Sequence, residues 1–173
     1  QKYKDLFAKH STPVIHGPLV GSTGSDFMSV WLRTDVERSV KLQVSEKKDF
    51  SKVFAEGEGR SFAKNDFTAV VKVSGLKSST KYFYRLVCEG EVQKSRGKQE
   101  VSTFPAKGEK ARFSITFGGG AGYNPQFERM WDTMRGHNPM AMLLLGDNVY
   151  IDTPEIPETQ QYCYYRRQSR PEY

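Results

Sequence analysis

Gly75-Leu76-Lys77-Ser78-Ser79-Thr80-Lys81-Tyr82-Phe83-Tyr84 sets an apolar anchor and a turn directly ahead of an aromatic strand. Leu76 is the anchor, the Lys-Ser-Ser-Thr run is turn material, and the strand continues through Arg85-Leu86-Val87. In such an arrangement a tyrosine hydroxyl at the strand start can tie back to the backbone just upstream, and Tyr82 is the better candidate for that role.

The segments on either side have the same character. Phe27-Met28-Ser29-Val30-Trp31-Leu32-Arg33 and Val40-Lys41-Leu42-Gln43-Val44 are β-rich, the second strictly alternating. Phe67 to Val73 alternates again, with Phe67, Ala69, Val71 and Val73 on one face, and Gly97 to Phe104 supplies a last strand. Gly21 to Gly24, Glu56 to Gly59 and Glu89 to Glu91 read as the turns between them. Short strands at this spacing, with no helical period between them, argue for a sandwich, and the stretch around Tyr82 resembles the tyrosine corner of fibronectin type III domains.

The pattern changes at Thr103-Phe104-Pro105-Ala106-Lys107-Gly108-Glu109, a joint bearing proline and glycine. The expected division is therefore residues 1–105, an immunoglobulin or fibronectin III-like β-sandwich, and residues 106–173, a partial α/β segment. Ala111 to Phe117 reads as a strand, followed by Gly118-Gly119-Gly120-Ala121-Gly122. Asn124 is placed to cap a helix with Pro125 at its first position. Phe127, Met130, Trp131 and Met134 form its apolar stripe, and Gly136 and Pro139 end it. Met140 to Leu145 is a near-continuous apolar run, as expected of a parallel strand covered on both faces. Together these make a βαβ unit. A helix over Glu158 to Arg170, stopped by Pro171, would close the chain.

Composition bounds the rest. With 37% hydrophobic and 27% charged residues the chain has material for a real core. No run approaches the roughly 18 apolar residues of a membrane span, and Gln1 opens no signal-peptide pattern. The net charge of +6 is carried by residues 1–105, with 18 Lys/Arg against 12 Asp/Glu, while residues 106–173 hold 8 of each. Because those charges are scattered singly, they read as solvated strand faces, and no nucleic-acid-specific partner is evident. Cys88 and Cys163 fall in different segments, outside any C-x-x-C pair, and read as buried thiols.

In open α/β sheets ligands bind beyond the carboxyl ends of the strands. Here those ends are the glycine loop and Gly146-Asp147-Asn148-Val149-Tyr150-Ile151-Asp152. Two carboxylates, an amide and a phenol follow the apolar strand at once, the oxygen donors that hard cations and phosphate chemistry require. Asp147 and Tyr150 are the candidate metal ligands, with Asn148 and Asp152 as further ligands or supporting groups. A cap on the following turn would serve Asp147 equally well. Gly118, Gly119 and Gly120 either let backbone approach an anion or metal or simply make a tight turn. A P-loop would end in Gly-Lys-Ser/Thr and a dinucleotide fingerprint would need glycine at Tyr123, so neither is present.

The order of these features, Gly75-Leu76, Tyr82-Phe83-Tyr84-Arg85, the Phe104-Pro105 joint and Gly146-Asp147-Asn148-Val149-Tyr150, resembles the PhoD-like alkaline phosphatase/phosphodiesterase family. Tyr162-Cys163-Tyr164-Tyr165-Arg166-Arg167-Gln168-Ser169-Arg170 is similar to the helical region that follows there. The resemblance implies a fibronectin-like domain before a calcineurin-like metallophosphatase domain, hydrolysis of phosphomonoesters or diesters, and a place outside the cytoplasm. It implies iron and calcium as cofactors, with Asp147 matching the metal-bridging aspartate and Tyr150 the iron-binding tyrosinate.

Two departures stand out. The family presents a cysteine ligand at the end of the first catalytic strand, where this chain has Gly119 or Gly120. The family's later Asp, Asn and His ligands fall beyond Tyr173, and His10, His16 and His137 sit at no strand end. The chain alone is thus expected to be an incomplete, inactive phosphoesterase. The rival expectation is a non-catalytic binding protein that uses the sandwich and carries a degenerate metal site. An incomplete sheet also leaves edges through which the chain could self-associate, dock on the sandwich or stay poorly ordered.

Overall fold

The computed structural model describes residues 12–94, 97–122 and 129–170. The chain divides into two compact units, with the break between Ala111 and Arg112.

The first unit is built from two antiparallel sheets. Strands β1 (Val14–Thr23), β2 (Phe27–Thr34) and β5 (Thr68–Ser74) form one, in the order β1-β2-β5. The other runs β4 (Ala55–Arg60), β3 (Ser39–Ser45), β6 (Lys81–Cys88), β7 (Glu91–Val92), with β8 (Glu100–Ser102) also paired to β6. Alternation builds the core. Met28, Val30 and Leu32 with Ala69, Val71 and Val73 from one sheet, and Val40, Leu42 and Val44 with Tyr84 and Leu86 from the other, form one buried cluster. Burying each such aliphatic side chain contributes about 1.5–3 kcal/mol before chain entropy is counted. The corner expected at Tyr82 is present: its hydroxyl accepts the Lys77 backbone N–H at 2.9 Å.

Several boundaries differ from the sequence expectation. Glu56 to Gly59 is no turn but the middle of β4, in full register with β3. Its glycines face inward where there is no room for a side chain: a Cβ on Gly57 would stand 2.0 Å from the Lys72 carbonyl oxygen. Gly21 to Thr23 likewise belongs to a strand, β1, which the sequence reading missed. Gly17, Pro18 and Gly21 break its alternation, and the register against β2 slips at three places to absorb them. Phe67 stands just ahead of β5 in a left-handed turn (φ 55°), and the last strand is shorter than Gly97 to Phe104.

At the joint, Glu109 takes one hydrogen bond from the Ser79 hydroxyl and another from the Ala106 N–H, each 2.9 Å. Both bonds lie within the first unit and fasten residues 106–109 to it. Cys88 and Cys163 are both free and buried, as expected.

The second unit holds β9 (Ile115–Gly118), helix α1 (Met130–Gly136), β10 (Ala141–Leu144) and helix α2 (Pro157–Gln168). β9 and β10 pair in parallel from Ala141↔Ile115 to Leu144↔Gly118, so β9-α1-β10 is a βαβ unit. Pro157 occupies the first turn of α2, where a missing N–H costs nothing. Of the stripe expected on α1, Trp131 is buried and Met130 exposed. The expectations for Asn124, Pro125, Phe127, Pro171 and His10 lie outside the described residues. The expected burial of Met140 to Leu145 on both faces is not what the structure shows: Leu143, Leu144 and Leu145 are all exposed. Among the described residues, the two four-residue strands and the two helices leave part of this strand uncovered.

Candidate functional site

Because β9 and β10 run in parallel, their carboxyl ends emerge side by side. The pairing continues past the strands: the Leu145 N–H donates to the Gly118 carbonyl at 2.8 Å, and the Gly120 N–H to the Gly146 carbonyl at 3.3 Å. The glycine loop therefore lies along Gly146 and Asp147. Gly146 (φ 119°) and Asp147 (φ 51°) turn the chain through left-handed backbone at that point, a conformation in which aspartate is tolerated.

That turn sets Asp147 against Tyr150. The phenol donates to Asp147 Oδ2 at 3.1 Å, and an added Cβ on Gly120 would lie 3.7 Å from the same phenol oxygen. Tyr150 is half exposed, so the pair is open to solvent. The hydrogen bond to the Asp147 carboxylate, then desolvation and the carboxylate's charge, hold the Tyr150 phenol above its usual pKa. The phenol is thus protonated at neutral pH, and a cation that takes its oxygen must displace that proton.

Asn148 sits beside the pair with its Oδ1 buried and without a hydrogen-bond partner. Asp152 is exposed, and among the described residues no hydrogen bond joins it to the pair. Gly118 ends β9, while Gly119 presses on the loop opposite, its added Cβ 3.2 Å from the Gly146 carbonyl. The structure therefore gathers Asp147, Tyr150, Gly119 and Gly120, with Asn148 next in the chain to Asp147.

Among the described residues no three His, Cys, Asp or Glu side chains gather as a metal-binding group. The donor pair still fits a hard cation. Carboxylate and phenol oxygens are the donors that such cations take, and these two stand within hydrogen-bond reach of each other, 3.1 Å apart. The orphaned Asn148 oxygen is a third hard donor next in sequence to Asp147.

One residue at this site was missed by the sequence reading as a functional group. Arg167, on α2, is buried and donates through Nη2 to the Ala121 carbonyl in the glycine loop. Its only sequence signal is the i,i+4 spacing from Cys163, which places both on one helix face; both are buried.

Fold and site define a β-sandwich followed in the chain by a parallel α/β segment with an oxygen-donor pair at its strand tips. The chain belongs to the PhoD-like phosphatase family: residues 3–104 match the family model described as PhoD-like phosphatase, N-terminal domain. Among solved structures, one titled "Structure of PhoD" matches with a TM-score of 0.71 at 17% identity, over 88% of this chain and 35% of that one. This chain thus spans about a third of the length of that protein.

Two further structures overlap 56% and 55% of the chain: the sensor domain of the anti-sigma factor RsgI4 from Pseudobacteroides cellulosolvens and the fibronectin type-III domain of human fibronectin type III domain containing protein 3. Their identities are 16% and 21%, they are covered over 100% and 88% of their own lengths, and their TM-scores of 0.35 and 0.33 are too low to define a shared fold. No curated protein matches the chain.

Proposed function

We propose that this chain carries the N-terminal sandwich and the opening part of the catalytic domain of a metal-dependent phosphoesterase. Its substrates are phosphomonoesters or diesters, and it works outside the cytoplasm. Family membership supports both the reaction class and the place outside the cytoplasm. The observation that carries the site assignment is the Tyr150 phenol 3.1 Å from Asp147 Oδ2, beyond the end of a parallel strand.

Asp147 and Tyr150 would hold the cation. The phenol suits ferric iron, because a small, highly charged cation stabilises the deprotonated oxygen, and calcium accepts the same hard donors. A bound cation would supply charge neutralisation at a phosphoryl group. The chain's own residues do the rest. Asp147 keeps an anionic oxygen directed at the phenol, Tyr150 surrenders its proton on loading, and the side-chain-free Gly118 to Gly120 leave space for an anionic ester beside the pair. Gly119 and Gly120 provide no thiolate, so the donors that this site's described residues offer an ion are oxygens.

The test is metal analysis and hydrolysis of aryl phosphomonoesters and diesters by the protein, produced with whatever sequence naturally follows Tyr173. Stoichiometric metal with activity is expected, and Asp147→Asn should lose the metal and lower activity by more than about 100-fold. Loss of a visible phenolate-to-iron band in Tyr150→Phe would identify the phenol as a ligand. A metal-free, inert wild type removes the hydrolase reading and leaves a binding protein that works through its sandwich.

A further inference from the structure

A long cationic side chain normally keeps its head in water. Arg167 does not: it is 2% exposed, and its guanidinium reaches the carbonyl of Ala121, 46 residues earlier in the chain. Ala121 is itself buried, and it is the one non-glycine residue of the Gly118 to Gly122 loop. A charged donor on a backbone carbonyl makes one of the stronger hydrogen bonds available in a protein.

The loop needs such a tie. A run of four glycines and an alanine has many more accessible backbone states than an ordinary loop of its length, and ordering it costs correspondingly more entropy. On one side the loop is set by the Gly120 N–H on the Gly146 carbonyl at 3.3 Å and closed on itself by the Gly122 N–H on the Gly120 carbonyl at 2.9 Å. On the other side Arg167 reaches in from α2, a twelve-residue helix that offers a rigid base. Gly120, which makes the first of these holds, also faces the Tyr150 phenol.

The geometry points to Arg167 as a positioning residue: its bond to the Ala121 carbonyl holds the glycine loop against the Asp147–Tyr150 pair, so that loop backbone and oxygen donors keep one arrangement. The role of the loop in cation binding rests on the reading of that pair given above, whereas the hold on the loop itself does not. Arg167 is no catalytic residue, since it works through the loop. Lysine would be an incomplete substitute, because a single ammonium lacks the planar fork that a buried carbonyl site selects.

The test compares wild type with Arg167→Met and Arg167→Lys in the full chain. Arg135→Met, an exposed residue of α1 paired with Asp132, serves as control. Amide hydrogen exchange over Gly119 to Gly122 is read by mass spectrometry, and binding of calcium alone and of ferric iron alone by calorimetry. Arg167→Met is expected to speed exchange in the loop by about 10-fold or more and to weaken cation binding by about 10–100-fold. Arg167→Lys should recover part of both, and Arg135→Met should change neither.

Unchanged loop exchange in a folded Arg167→Met overturns the proposal, and so does faster exchange with undiminished cation affinity. If Arg167→Met does not fold, Arg167→Lys is judged by the same two readouts. If neither folds, Arg167 is a core residue and the positioning role falls. A wild type that binds neither ion removes the cation site, while loop exchange in the variants still decides whether Arg167 holds the loop.

Discussion

Two tyrosines of β6 show how one residue type takes different parts in one core. Tyr82 is buried and its hydroxyl accepts from the Lys77 N–H, so it closes the turn that precedes the strand. Tyr82→Phe should lower unfolding stability by about 1 kcal/mol in urea titrations, the usual net worth of one such bond. Tyr84 is placed differently: burial pushes its phenol up to about 12. In the unfolded chain the same group titrates near 10.

Below about pH 10 both states keep the proton and the contribution of Tyr84 is intact. Between about 10 and 12 only the unfolded state loses it, so stability falls as pH rises through that window. A shift of two units corresponds to about 2.7 kcal/mol. Urea midpoints should drop by that equivalent between pH 9 and 12 in wild type and much less in Tyr84→Phe; equal drops would refute the assignment. The corner at Tyr82 was legible in the sequence because its parts lie within ten consecutive residues. The buried contact of Arg33 with His16 Nδ1 (2.8 Å) and Asp66 Oδ2 (2.8 Å) was not, because its partners are far apart in the chain.

At the level of strands, β4 is the instructive case. Ala55-Glu56-Gly57-Glu58-Gly59-Arg60 looks like a turn because glycine is depleted in strands and enriched in turns. Its glycines are there for another reason: β4 of one sheet approaches β5 of the other so closely that only hydrogen fits at Gly57. Gly57→Ala should therefore cost about 1–3 kcal/mol by overpacking. The exposed neighbour Glu58→Ala should stay within about 0.5 kcal/mol. Comparable urea midpoints for both variants would show that the strand can move aside. The site elements were legible in outline, since an apolar run ending in Gly-Asp marks a strand tip. That Asp147 and Tyr150 turn toward each other depends on left-handed backbone at Gly146 and Asp147, which no apolar period encodes.

Over the whole chain the sandwich closes its own core, while the α/β unit keeps Ile115, Phe117, Leu143, Leu144 and Leu145 exposed on a two-stranded sheet. Apolar surface of that kind is covered by something in a stable protein: on the proposed reading by the rest of the catalytic domain, and, for the 173-residue chain by itself, by a second copy. Sedimentation velocity should show concentration-dependent self-association that is relieved in Phe117→Lys/Leu145→Lys. A wild type that stays monomeric at high concentration would refute this.

Alternating and periodic apolar residues specify which face of a strand or helix turns inward, and turn chemistry specifies where the chain reverses. For that reason the sandwich, its tyrosine corner and the βαβ order could be read from residue order alone. Which surfaces meet is a question of long-range packing. The close approach over Gly57, the grip of Arg167 on the glycine loop and the exposure of β10 follow from neighbours brought in by folding, or from their absence. Local pattern carries no record of either.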